Sequence, residues 1–120
     1  MNNISEVYEK TIELIDFFCE KGKECNAGNN YEEAERLFSH ALHIAKYFAR
    51  EEETELMFMP VVARCMYYQS EAMQDEKKLW KAVVLATKYY KQDYFCNFIV
   101  KTGKRKFNMS DEIVEVLSQD

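Results

Sequence analysis

His40 and His43 are the residues whose type and spacing come nearest to chemistry. They lie three apart, which on a helix puts two imidazoles on one face, where they could hold a metal. No carboxylate or cysteine on that face completes four ligands, so no metal is expected and the pair reads as surface histidines. Cys19, Cys25, Cys65 and Cys96 have no C-x-x-C spacing and read as reduced thiols that fill a core. Lys101-Thr102-Gly103-Lys104-Arg105-Lys106 carries four basic residues in six and could touch phosphates. It lacks the G-x-x-x-x-G-K-[ST] pattern and a preceding strand, so it reads as a solvated basic loop. No strand-turn-helix context presents a nucleophile. The chain is therefore read as non-catalytic and without a cofactor.

The elements that must position these side chains are helices. Gly 3 and Pro 1 in 120 residues disfavour hairpin strands and favour long helices with short turns. A first helix is expected from near Ser5, as N-cap, to Ala27, with Gly28 supplying the left-handed residue that ends it. Asn29-Asn30-Tyr31 reads as a tight turn into a second helix that runs to Arg50. Ala34 and Ala41 form a small-residue stripe there, with Leu37, Phe38, Leu42 and Phe48 at helical spacing beside it. Such a stripe lets another helix approach closely.

A third helix is expected to start near Met59, with Pro60 in its first turn, where a missing N–H costs nothing. The alternative is a longer helix kinked at Pro60. A fourth is expected over Lys77–Lys91. A short fifth should run from Asp93 to Thr102 and end at Gly103, with the basic loop 104–106 after it. Ser110-Asp111-Glu112 reads as the start of a last helix, a capping hydroxyl followed by acids at the positive end of the dipole.

The totals bound the class. One domain over residues 1–120 is expected, large enough for its own core. No apolar run approaches the roughly 20 residues of a membrane helix, and the first residues lack the pattern of a signal peptide. With the reduced cysteines, this points to a cytoplasmic protein. The net charge of −5 hides a split: residues 1–76 hold 7 Lys/Arg against 16 Asp/Glu, residues 77–120 hold 9 against 5. The split reads as two differently charged solvated surfaces, or as a basic end that steers an acidic partner while the acidic body repels nucleic acid.

Phe18, Gly22, Tyr31, Ala34, Phe38 and Ala41 together resemble a tetratricopeptide repeat, a unit of about 34 residues built from two antiparallel helices. The resemblance covers residues 15–48, with Lys21 where a leucine is usual and Cys25 where an aromatic is usual. Residues 60–91 are similar to a second unit, with Ala63, Leu79, Val83 and Ala86 in equivalent slots at an offset of 45 residues. Asn30-Tyr31-Glu32-Glu33-Ala34 and Arg64-Cys65-Met66-Tyr67-Tyr68 also resemble microtubule-interacting-and-transport domains. That three-helix fold has no place for the helices after Lys77.

The resemblance to tetratricopeptide repeats implies an all-α fold of antiparallel helical hairpins stacked as an array of five to six helices. It also implies binding. First helices of such hairpins line a groove that accepts a peptide or amphipathic helix of a partner protein. In this register the groove would present Asp16, Cys19, Glu20, Lys23 and Asn26 from the first unit. Arg64, Tyr67, Tyr68 and Glu71 would come from the second. The expected function is a protein–protein interaction module, adaptor or chaperone-like; the alternative is a nucleic-acid-associated regulator using the basic C-terminal segment. The Tyr89-Tyr90, Tyr94-Phe95 and Phe98 cluster exceeds what one helix can bury, and reads either as a core against which the last helix docks or as an exposed interface; in the second case a homodimer through that face is expected.

Overall fold

Helices begin in this chain where a short polar side chain can take up a free amide. Asn30, Asp75, Asp93 and Ser110 accept hydrogen bonds from the backbone amides of Glu33, Lys78, Cys96 and Ile113. They open four of the six helices of this computed structural model, which describes residues 4–119. The helices are α1 (Ile4–Ala27), α2 (Tyr31–Ala49), α3 (Glu55–Met73), α4 (Glu76–Ala86), α5 (Tyr94–Phe107) and α6 (Asp111–Ser118). The described residues contain no strand.

Each helix packs on its neighbour in sequence through α5, so α1 and α2 form one antiparallel hairpin and α3 and α4 the next. α2 sits between α1 and α3 and turns its small-residue stripe into that contact. Ala34, Ala41 and Ala45 are fully buried there, with Phe38 beside them. The contacts between α1 and α3 hold a nearly constant offset: Asp16 pairs with Arg64, Cys19 meets Cys65, and Lys23 lies over the Tyr68 ring. Helices in contact at constant offset run in the same direction, as first helices of stacked hairpins must. The chain is an all-α stack of helical hairpins.

Two apolar cores share α3. Ile15, Phe38, Phe58, Val62 and Cys65 lie in the first, where the Phe48 and Phe58 rings stack at 5.1 Å. Ala63, Leu79, Val83, Ile99 and Val114 lie in the second. Between α2 and α3, the hydroxyl of buried Thr54 donates to the Phe48 carbonyl and ties the end of one helix to the start of the next.

Several boundaries differ from those expected. Ser5 is inside α1, which already includes Ile4. The left-handed residue after α1 is Asn29 (φ 66°), not Gly28: Gly28 still bonds back to the Glu24 carbonyl, and the Asn30 amide closes the turn on the Cys25 carbonyl. α3 begins at Glu55, so Pro60 stands inside the helix and its ring removes the bond to the carbonyl of residue 56. Thr54 sets this earlier start, since its carbonyl accepts from the amides of Met57 and Phe58.

α4 stops at Ala86 rather than Lys91. The buried Thr87 hydroxyl turns back to the Val84 carbonyl, and the following amides bond three residues back, which tightens the chain into turns. α5 runs past Gly103 to Phe107, so the expected basic loop is the last turn of a helix. Gly103 serves packing there: an added Cβ would stand 2.6 Å from Val83 Cγ1. Asn108, at φ 54°, is the left-handed residue that ends α5.

Candidate functional site

Three parallel helices bring aromatic and charged side chains to one face. α1 contributes Lys23 and Asn26, α3 contributes Tyr67, Tyr68 and Glu71, and α5 contributes Phe95 and Phe98. Phe38 of α2 forms the floor, stacked on Tyr68 with ring centroids 5.3 Å apart. Together they line an open groove of about 320 Å³. Tyr67 and Tyr68 meet both phenylalanines edge-on or are bridged to them through Phe95, at centroid distances of 5.4 to 5.9 Å. Such edge contacts fix rings in place and leave their outer faces for a ligand.

The electrostatics at this face are mixed. Lys23 bonds to Glu20 at 3.2 Å and stands 5.4 Å from the Tyr68 ring centre, and the hydrogen bond to Glu20 holds its ammonium above the ordinary lysine value. Burial pushes both the Tyr67 and Tyr68 phenols up, with Glu71 adding to the effect at Tyr67. Both therefore remain neutral donors at physiological pH. Along the same edge, Arg64 pairs with Asp16, its side chain 24% exposed. The Asn26 side-chain oxygen at this wall is buried with no hydrogen-bond partner. The groove can thus take apolar side chains along its floor and a polar or charged group at its rim.

Of the seven residues expected at a binding surface, Lys23, Asn26, Tyr67, Tyr68 and Glu71 line this groove together. Arg64 does not line the groove but stands at its edge, in the ion pair with Asp16. Cys19 is 3% exposed and turned to Cys65, so it presents nothing to a partner. The sequence reading did not place Phe38, Phe95 and Phe98 in the groove. Phe95 and Phe98, three apart, share one helical face, a spacing that would have marked them once α5 was known to lie beside α3. Met59 and Met66 line a separate shallow hollow with Val62 and Leu85, away from this site.

Two of the three basic residues in the last turn of α5 make ion pairs within the fold. Lys104 pairs with Asp111, and Lys106 lies 3.3 Å from Glu76. His40 approaches Arg36 at 3.4 Å and the Phe18 ring at 5.9 Å. Among the described residues no group of three or more His, Cys, Asp or Glu side chains could hold a metal ion, and no helix is long and apolar enough to cross a membrane.

Comparison with protein-family models, with curated proteins and with solved structures finds nothing that matches this chain.

Proposed function

We propose that this chain is a tetratricopeptide-repeat-like interaction module, an adaptor or chaperone-like protein of the cytoplasm. It receives an amphipathic helix or extended peptide of a partner protein in the groove formed by α1, α3 and α5. One observation carries this reading: Tyr67, Tyr68, Phe95 and Phe98 converge over Phe38 on a face that the fold leaves open. Clustered aromatics in a preformed concavity supply most of the binding energy at protein interfaces, and rim charges supply selectivity. Lys23 and Glu71, of opposite sign on facing walls, would read the polar side of the incoming segment.

Affinity capture from the native cell, compared between the natural chain and its Tyr68→Ala and Phe98→Ser variants, tests this. A partner lost with both variants supports the groove. A partner that ignores both, yet is lost with Lys104→Glu and Arg105→Glu in a salt-dependent manner, supports a nucleic-acid-associated regulator instead.

Self-association belongs to the same proposal. Tyr94 and Phe98, four apart on one edge of α5, are 90% and 42% exposed, and Phe98 lines the groove. A homodimer through that edge would cover part of the groove and compete with the partner.

A further inference from the structure

Cys19 and Cys65 face each other behind the groove. Their sulfurs are 3.9 Å apart, one on α1 and the other on α3, and both cysteines are buried. A disulfide needs the sulfurs at about 2.05 Å, so side-chain rotation with a small helix adjustment would close the bond. We propose that Cys19 and Cys65 are an oxidisable pair that hydrogen peroxide converts to a disulfide, covalently joining the two parallel helices that wall the groove.

The chemistry divides unequally between the two thiols. The two sulfurs share a hydrogen bond in which either thiol can be the donor, and the positive charges of Arg64 and Lys23 favour the thiolate at Cys19. The Cys65 thiol is pushed well above its ordinary value by that same hydrogen bond and by burial. Cys19 is 3% exposed and Cys65 not at all, so Cys19 is the sulfur that peroxide reaches and the attacking thiolate. Its sulfur attacks one peroxide oxygen, the O–O bond breaks, and hydroxide leaves, which gives the sulfenic acid at Cys19. The Cys65 sulfur then loses its proton and attacks the Cys19 sulfur, and the S–O bond breaks to release the second oxygen as water. Two thiols and one peroxide become one disulfide and two waters.

Burial selects the oxidant. Cys19 is 3% exposed, close to Lys23 and Arg64 at the edge of the groove, and a small neutral molecule reaches it more readily than a bulky disulfide. α1 and α3 also meet at Asp16–Arg64, at Lys23–Tyr68 and at the edge-on rings of Tyr8 and Phe58, 5.9 Å apart. The crosslink would remove freedom from the unfolded chain across the 46-residue separation and restrain the spacing of the two walls.

The test is mild peroxide treatment of the full chain, followed by peptide mapping without reductant. The expected product is one linked peptide pair joining Cys19 to Cys65, with a thermal midpoint raised above that of the reduced protein and restored by reductant. In the Cys65→Ser variant, dimedone should trap the sulfenic acid at Cys19. Circular dichroism verifies that the variant is helical, and mapping of the natural chain stands independently of that variant. Folded protein that stays unlinked under peroxide, or whose first label falls on Cys25 or Cys96, overturns the proposal.

Discussion

Phe38 occupies the space that a β-carbon on Gly22 would need: an added Cβ would stand 2.5 Å from its Cε1. The ring cannot swing away freely, because its other neighbour is Tyr68, stacked at an interplanar angle of 19°. A glycine of α1, a ring of α2 and a ring of α3 therefore form one continuous contact, with the floor of the groove, Phe38, at its middle.

Gly22→Ala is expected to destabilise the fold by about 1–3 kcal/mol, even though alanine favours an isolated helix, because overpacking outweighs propensity. Chemical denaturation measures it. The same substitution should weaken partner capture by displacing Phe38. An increase in stability would show that the ring moves without cost.

Gly103 and Val83 form an equivalent pair in the second core, at 2.6 Å for an added Cβ. Gly103→Ala should destabilise by a similar amount, and Val83→Ala by about 1–2 kcal/mol from lost burial. The double variant should be less unstable than the sum, since the smaller residue makes room for the new methyl group. A double-mutant cycle with no coupling would contradict the close approach.

Pro60 stands in α3 with no N–H to give the carbonyl of residue 56. Pro60→Ala restores that bond and should stabilise the protein by about 1 kcal/mol or more. An urea midpoint below that of the natural chain would mean that the ring's contacts with its surroundings outweigh the lost hydrogen bond.

Asp16→Ala leaves Arg64 without its counter-charge at a position where its side chain is only 24% exposed. A loss of about 1 kcal/mol is expected. Removing Glu33 from its exposed i,i+3 pair with Arg36 should change stability little. Equal effects in the two cases would show that burial around Arg64 does not matter.

Tyr67, Tyr68 and Tyr89 all have phenols pushed above the ordinary value, chiefly by burial. The folded state then keeps protons that the unfolded state releases. The stability they contribute is complete below about pH 10, the unfolded tyrosine value, and is lost as pH rises through the folded values. Denaturant midpoints should therefore fall in that alkaline window. The Tyr67→Phe and Tyr68→Phe variants should show a shallower fall; an unchanged slope in both would exclude these groups as its source.

Partner and self-association at α5 make opposite use of one surface. Sedimentation at micromolar concentration is expected to show a dimer that Tyr94→Lys dissociates. A monomer for the natural chain would retire the dimer and leave the groove proposal untouched.

The alanine spacing at Ala34 and Ala41 was enough to determine a helix with a face for close packing, because 3.6-residue periodicity is a local property. Capping by Ser110 and the antiparallel hairpin before Tyr31 were equally legible, since turns and caps are made within a few residues. What the sequence alone did not decide is where helices stop when a distant neighbour has a say. Gly103 looks like a terminator until Val83 is seen against it, and Pro60 looks like a first-turn residue until Thr54 is seen to cap further upstream. The groove itself is a tertiary fact. Tyr67, Tyr68, Phe95 and Phe98 meet only because α5 packs alongside α3, and Cys19 faces inward because α1 packs that side into the first core, where Cys65 lies across from it. Local pattern chooses the helix; burial against another helix, which no local window contains, chooses its ends and the face it shows.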